Sequence, residues 1–147
     1  MERSTDVGER LVAEIGWDRV RAMTADHVNA RIEREMEGQV RQATGQGREA
    51  VQRRIFELER EWNIDQALMT NLAVLGLAGI LAGALHSRKW LSAPAIQLAF
   101  LFMHASVGWC PPTPLFRRLG FRTQKEIEAE RTILRERVGE ELRPNRA

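Results

Sequence analysis

The sequence predicts an all-α protein: a two-helix transmembrane hairpin flanked by amphipathic cytoplasmic helices. Three observations carry that expectation. Residues 67–85 and 91–110 contain no Asp, Glu, Lys or Arg, in a chain that is 29% charged. These blocks are 19 and 20 residues long, and at ~1.5 Å per residue each matches the ~30 Å hydrocarbon core of a bilayer. Only His86-Ser87-Arg88-Lys89-Trp90 separates them, a connection of the length that joins antiparallel helices.

The mean hydropathy of −0.36 averages unlike segments. Residues 1–66 hold 11 basic and 14 acidic side chains, residues 67–110 only Arg88 and Lys89, and residues 111–147 nine basic and six acidic. Cys110 is the single cysteine, so no intrachain disulfide can form. Residues 1–16 are charged and lack an apolar run; no cleavable signal peptide is expected, and the first apolar block serves as its own insertion signal. Three domains are expected: a helical cytoplasmic region at 1–66, the hairpin domain at 67–122, and a C-terminal cytoplasmic helix and tail at 123–147.

In chain order, a first amphipathic helix is expected over 6–23 from Leu11, Val12, Ile15, Val20 and Met23, weakened by Gly8 and Gly16. Thr24 or Asp26 is placed to cap a second helix, along which Val28, Ile32, Met36 and Val40 recur every four residues. Gly45-Gln46-Gly47 should break it. A third helix follows from Arg48 to about Trp62, with Val51, Ile55, Leu58 and Trp62 on one face. Acidic residues are mixed through these stripes, so despite a pI near 9.3 no basic patch forms and nucleic-acid binding is not expected.

Within the first apolar block, Gly76, Gly79 and Gly83 fall on one narrow stripe at 100° per residue. Such a stripe lets two backbones approach closely, either the two halves of the hairpin or a second copy in a homodimer. Ser92 is placed to cap the second helix and Pro94 falls in its first turn, where a missing N–H is harmless. Pro111-Pro112 should end it. Beyond that point, Thr123 and Glu126 have the spacing of a capping box, and Ile127, Ile133, Leu134 and Val138 give a last helix its apolar face.

Orientation follows from the basic residues near the block ends. Arg88 and Lys89 lie on one side; Arg48, Arg53, Arg54, Arg60, Arg117, Arg118, Arg122 and Lys125 lie on the other. The imbalance places both termini in the cytoplasm, with Cys110 at a face where thiols stay reduced. Trp62, Trp90 and Trp109 border the blocks, at the depth where indoles favour the headgroups.

Candidate chemistry is sparse. Cys110 is the one plausible nucleophile, and a helix C-terminus disfavours its thiolate. His104 is the unusual ionisable group inside an apolar block, with Gln97 seven residues earlier on the same face. Structural hydrogen bonding and a proton or ligand role are both open to it. No spacing of His, Cys and carboxylates fits a metal, and no phosphate loop or catalytic constellation is legible. Neither a cofactor nor an enzymatic activity is expected.

The run 67–122 resembles the YgaP-like inner-membrane transmembrane domain, a bacterial two-helix module of unknown function. The likeness rests on the Gly-rich first helix, the short basic-aromatic turn, the ending Gly108-Trp109-Cys110-Pro111-Pro112 and the following Leu115-Phe116-Arg117-Arg118-Leu119-Gly120. It implies a bacterial inner-membrane hairpin that self-associates, with Cys110 in the family's cysteine position. Some members carry a rhodanese domain ahead of the hairpin, which implies sulfur or thiocyanate handling and a sulfurtransferase partner. Residues 1–66 contain no cysteine, so no rhodanese active-site loop is present there. The expected function is a non-enzymatic anchor and oligomerisation module in the lipid bilayer. The alternative is a thiol-dependent sulfur carrier, or a small-ion or thiocyanate pathway, using Cys110.

Overall fold

The computed structural model describes residues 2–141, and among them the fold is all-α. The helices are α1 (Glu2–Ile15), α2 (Arg19–Ala22), α3 (Asp26–Gly45), α4 (Arg48–Arg60), α5 (Ile64–Leu85), α6 (Ser92–Val107), α7 (Thr113–Arg118) and α8 (Gln124–Glu141), with a 3-10 turn at Arg88–Leu91 between α5 and α6. They form two compact units. One joins the chain up to Asn63 with the chain from Arg122 onward; the other is Ile64–Phe121.

The first unit is a bundle of α1, α3, α4 and α8. α1 packs on α3 and α8, and α4 packs on the same two helices. Its core follows from the stripes. Val28, Ile32, Met36 and Val40 of α3 are all buried, as are Leu11 and Ile15 of α1, Val51 and Leu58 of α4, and Ile127, Ile133 and Leu134 of α8. The region 123–147, expected to stand alone, therefore divides differently: α8 supplies one wall of the same core. Sequence order hid this, because a single apolar stripe does not say which partner it meets.

Two local expectations are corrected in this unit. The helix expected over 6–23 is two helices. Gly16 adopts a left-handed φ of 59°, which only glycine takes up without strain, and α1 stops at Ile15. Val12, on the outer side of α1, and Met23, beyond the break, are exposed. Asp18 then caps the single-turn α2, its carboxylate accepting the Arg21 N–H at 3.0 Å. Neither Thr24 nor Asp26 caps α3. Ala25 holds that position without a side-chain bond, while the Thr24 hydroxyl donates to the Val20 carbonyl at 2.6 Å. Asp26 lies inside the first turn, where a carboxylate still complements the helix dipole. The glycine break holds, with Gly47 at φ 90°.

The second unit is a helical hairpin, α5 against α6 and the 3-10 turn, with α7 packed on α5. α5 begins at Ile64, three residues before the uncharged block, so Asp65 lies in its first turn. α6 ends at Val107 rather than at the prolines. Gly108 takes a left-handed conformation there (φ 72°), its N–H donating to the His104 carbonyl at 2.7 Å, a common helix stop. Ser92 is the first residue of α6 and not its cap; its hydroxyl donates to the Lys89 carbonyl at 2.8 Å.

The glycine stripe lies inside this hairpin. A Cβ on Gly79 would come within 2.8 Å of Pro94 Cδ, one on Gly83 within 2.5 Å of Leu91 Cδ2, and one on Gly76 within 3.3 Å of Gln97 Oε1. Close approach of α5 to α6 and the turn is thus what these glycines permit. The outward faces are apolar and uncovered. Met69, Val74, Leu75, Leu77, Ile80, Leu81 and Leu85 of α5, and Ile96, Leu98, Phe102 and Val107 of α6, are all exposed. α6 buries no residue at all.

Candidate functional site

The polar groups of the hairpin gather where α5 begins and α6 ends. His104 Nε2 lies 3.2 Å from Asp65 Oδ1. The other ring nitrogen, Nδ1, is enclosed and has no hydrogen-bond partner among the described residues. Gln97 Oε1, two turns earlier on α6, is likewise enclosed and unpartnered. The shared face expected for Gln97 and His104 therefore exists as a face turned inward, and the histidine's partner is the one carboxylate that α5 gained by starting early. Asn63-Ile64-Asp65 reads from sequence as the entrance to the helix, but the pairing of Asp65 with His104 was missed because Asp65 lies outside the uncharged block.

Cys110 sits in the turn after α6, not on the helix. Its side chain is buried, with Sγ 3.2 Å from the Thr113 hydroxyl oxygen. The same oxygen accepts the Cys110 N–H at 3.3 Å. Cys110 and Thr113 thus staple the prolyl turn that leads into α7. Thr113 is the thiol's hydrogen-bonding neighbour. Among the described residues, no three His, Cys, Asp or Glu side chains gather as a metal would require.

The densest ionic chemistry lies in the bundle and was not anticipated. Glu126 and Glu130 of α8 are fully buried. Glu130 receives Arg54 Nε at 2.8 Å and also Arg122 Nη1; Arg122 Nε in turn reaches Glu61 at 2.6 Å. Glu126 accepts Arg21 Nη1 at 2.9 Å with one oxygen and the Thr123 N–H at 2.8 Å with the other. That second bond, with Glu126 N–H to Thr123 Oγ1 at 3.3 Å, is the capping box expected from the sequence. A signal for the rest was present. Glu126 and Glu130 stand four residues apart within the stripe Ile127, Ile133 and Leu134, so any helix burying those residues also buries the carboxylates.

Burial, the largest single influence, pulls the pKa of Arg21, Arg54 and Arg122 down. Hydrogen bonds and charge from Glu33 and Glu126, from Glu130 and Glu57, and from Glu61 and Glu130 outweigh it, and each guanidinium is held above its ordinary value. Two ion-pair groups, Arg21 with Glu33 and Glu126, and Arg54 and Arg122 with Glu61 and Glu130, clamp α8 to the rest of the bundle.

Comparison with protein-family models, with curated proteins and with solved structures gave no match to this chain.

Proposed function

We propose that the chain is a non-enzymatic integral membrane protein whose α5–α6 hairpin anchors the helical bundle and self-associates. We further propose that it lies in a bacterial inner membrane with both termini cytoplasmic. One observation carries the reading. α5 (22 residues) and the 3-10 turn with α6 (20 residues) are long and apolar enough to cross a bilayer, and 17% and 0% of their most apolar windows are buried. Leaving a large apolar side chain in water forgoes about 1.5–3 kcal/mol. Over the hairpin's exposed residues, each about half exposed or more, the forgone burial is of the order of the ~5–15 kcal/mol that holds a domain folded. Lipid covers them at no such cost, and the helices satisfy their own backbone as a bilayer demands.

The excess of basic residues on the terminal side supports the orientation, and the Gly108-Trp109-Cys110-Pro111 ending supports placement near the YgaP-like hairpins. The enclosed Cys110 gives the sulfur-carrier alternative no support. Because α6 and the turn occupy the glycine stripe, a second copy would meet the outer faces of the hairpin. The test is fractionation after expression: the protein should sediment with membranes and resist an alkaline carbonate wash. Recovery in the soluble fraction without detergent would refute it.

A further inference from the structure

The bundle has an end that the chain itself ties to the hairpin. Asn63 and Arg122 pair in a parallel β-bridge, and Asn63 Nδ2 donates to Gln124 Oε1 at 2.8 Å, so Asn63, where the chain leaves the bundle for residues 64–121, and Arg122, where it returns, lie side by side. α5 is helical from Ile64, and four residues of helix from Asn63 to Ala67 cover about 6 Å. The headgroup layer on each face of a bilayer is about 5–8 Å thick. With the hairpin in a bilayer and its apolar block starting at Ala67, the covalent connection keeps Asn63 and the bridged Arg122 near headgroup depth.

Two exposed indoles occupy that end. Trp62 directly precedes Asn63 and is 53% exposed. Trp17 is remote in sequence and 68% exposed, and it is brought there by the first turn of α8. Lys125 Nζ donates to the Trp17 carbonyl at 2.6 Å, and the Arg21–Glu126 ion pair fixes the same α1–α2 link. The Arg19 guanidinium lies over the Trp17 ring, 5.6 Å from its centroid. Met23, directly after α2, is also exposed. Indole rings with basic groups beside them are the composition that partitions to the membrane interface.

We propose that this end of the bundle, presenting Trp17, Met23 and Trp62 with Arg19 and Lys125, is a lipid-contact surface that seats the bundle in the phosphate-bearing headgroup layer. The inference rests on the hairpin spanning a bilayer. It adds that the bundle lies against the membrane and does not hang free on its two connections. Trp17 is the informative residue, since Trp62 is held near the membrane by two peptide bonds in any case.

The test reconstitutes the full chain into phosphatidylcholine–phosphatidylglycerol vesicles containing lipid with a nitroxide near the headgroup. Two variants keep one indole each, Trp17 or Trp90, with the other three tryptophans changed to Phe. Trp17 emission should be blue-shifted and lose a fraction of its intensity comparable with that of Trp90. Trp17 emission that stays unquenched while Trp90 is quenched would overturn the contact and leave the hairpin reading intact. Loss of quenching for both, with the protein washed from the vesicles at alkaline pH, would instead overturn the hairpin. Shielding of Trp17 from acrylamide without lipid quenching would assign it to a protein contact and also refute the proposal. Should the triple variants misfold, a nitroxide on Met23→Cys in a Cys110→Ser background reads the same depth: relaxation by oxygen but not by a water-soluble nickel chelate supports the contact, and the reverse overturns it.

Discussion

At the scale of single residues, glycines of similar appearance have opposite roles. Gly79 and Gly83 both admit close neighbours, but the neighbours differ. A methyl at Gly79 would meet the Pro94 ring, which cannot rotate away, whereas one at Gly83 would meet the free end of Leu91, a side chain 44% exposed. Gly79→Ala should therefore cost about 1–3 kcal/mol, the range for overpacking a close contact, and Gly83→Ala less. Reversible unfolding in mixed detergent micelles would measure both. Gly38, in the middle of α3, is the converse: a methyl there would meet nothing within 4 Å. Gly38→Ala should stabilise the bundle by about 0.4–1 kcal/mol by restricting the unfolded chain. Glu130 is a third case. Its removal takes one carboxylate partner from both Arg54 and Arg122, which keep Glu57 and Glu61, so Glu130→Ala should cost about 1–3 kcal/mol in thermal or urea unfolding. The arginines carry a sign of their own. Their pKa values are raised in the fold, so the stability they contribute is complete below the ordinary guanidinium value and lost only above the raised one. An alkaline scan to about pH 9 should find the clamp still charged.

At the scale of elements, the ends of helices were harder to foresee than their faces. The α8 N-terminus was legible because a capping box is a spacing of residue types, and the structure forms both of its bonds. Thr123→Ala should cost about 1 kcal/mol. Glu126→Ala should cost more, since it also removes one of the two carboxylate partners of Arg21; thermal unfolding of the two variants side by side checks the order. The stripe of α3 was equally legible, every expected position being buried. The faults lay at Gly16 and Gly108. Both sit inside apolar patterns that continue past them, and only the three-dimensional course of the chain decides whether a glycine is tolerated in a helix or ends it. Asp65 shows the same limit in reverse. A charge count ended the apolar block at Ala67, while the helix itself began at Ile64 and carried a carboxylate to His104.

At the scale of the whole molecule, the least legible property was that the hairpin interrupts a bundle. α1, α3 and α4 precede residues 64–121 and α8 follows them, yet all four share one core. Nothing in the α8 stripe names its partners; the two buried glutamates, waiting for arginines from α2, α4 and Arg122, were the only sequence hint that it had distant ones. The arrangement makes a strong claim about autonomy. The hydrophobic core cluster lies wholly in the bundle, and the ion pairs of Glu126 and Glu130 close within it. Among the described residues, no part of that core is borrowed from 64–121. The bridge between Asn63 and Arg122 sets the two cut ends beside each other, running in the same direction, so a linker of about a dozen residues can cross back from one to the other. Replacing 64–121 by such a Gly-Ser linker should yield a helical, monomeric protein that is soluble without detergent and unfolds cooperatively. Circular dichroism and size-exclusion chromatography in plain buffer would show it. An aggregated or unstructured product would mean that the bundle depends on the hairpin or the membrane for its fold, and that the core and its ionic clamp are insufficient alone.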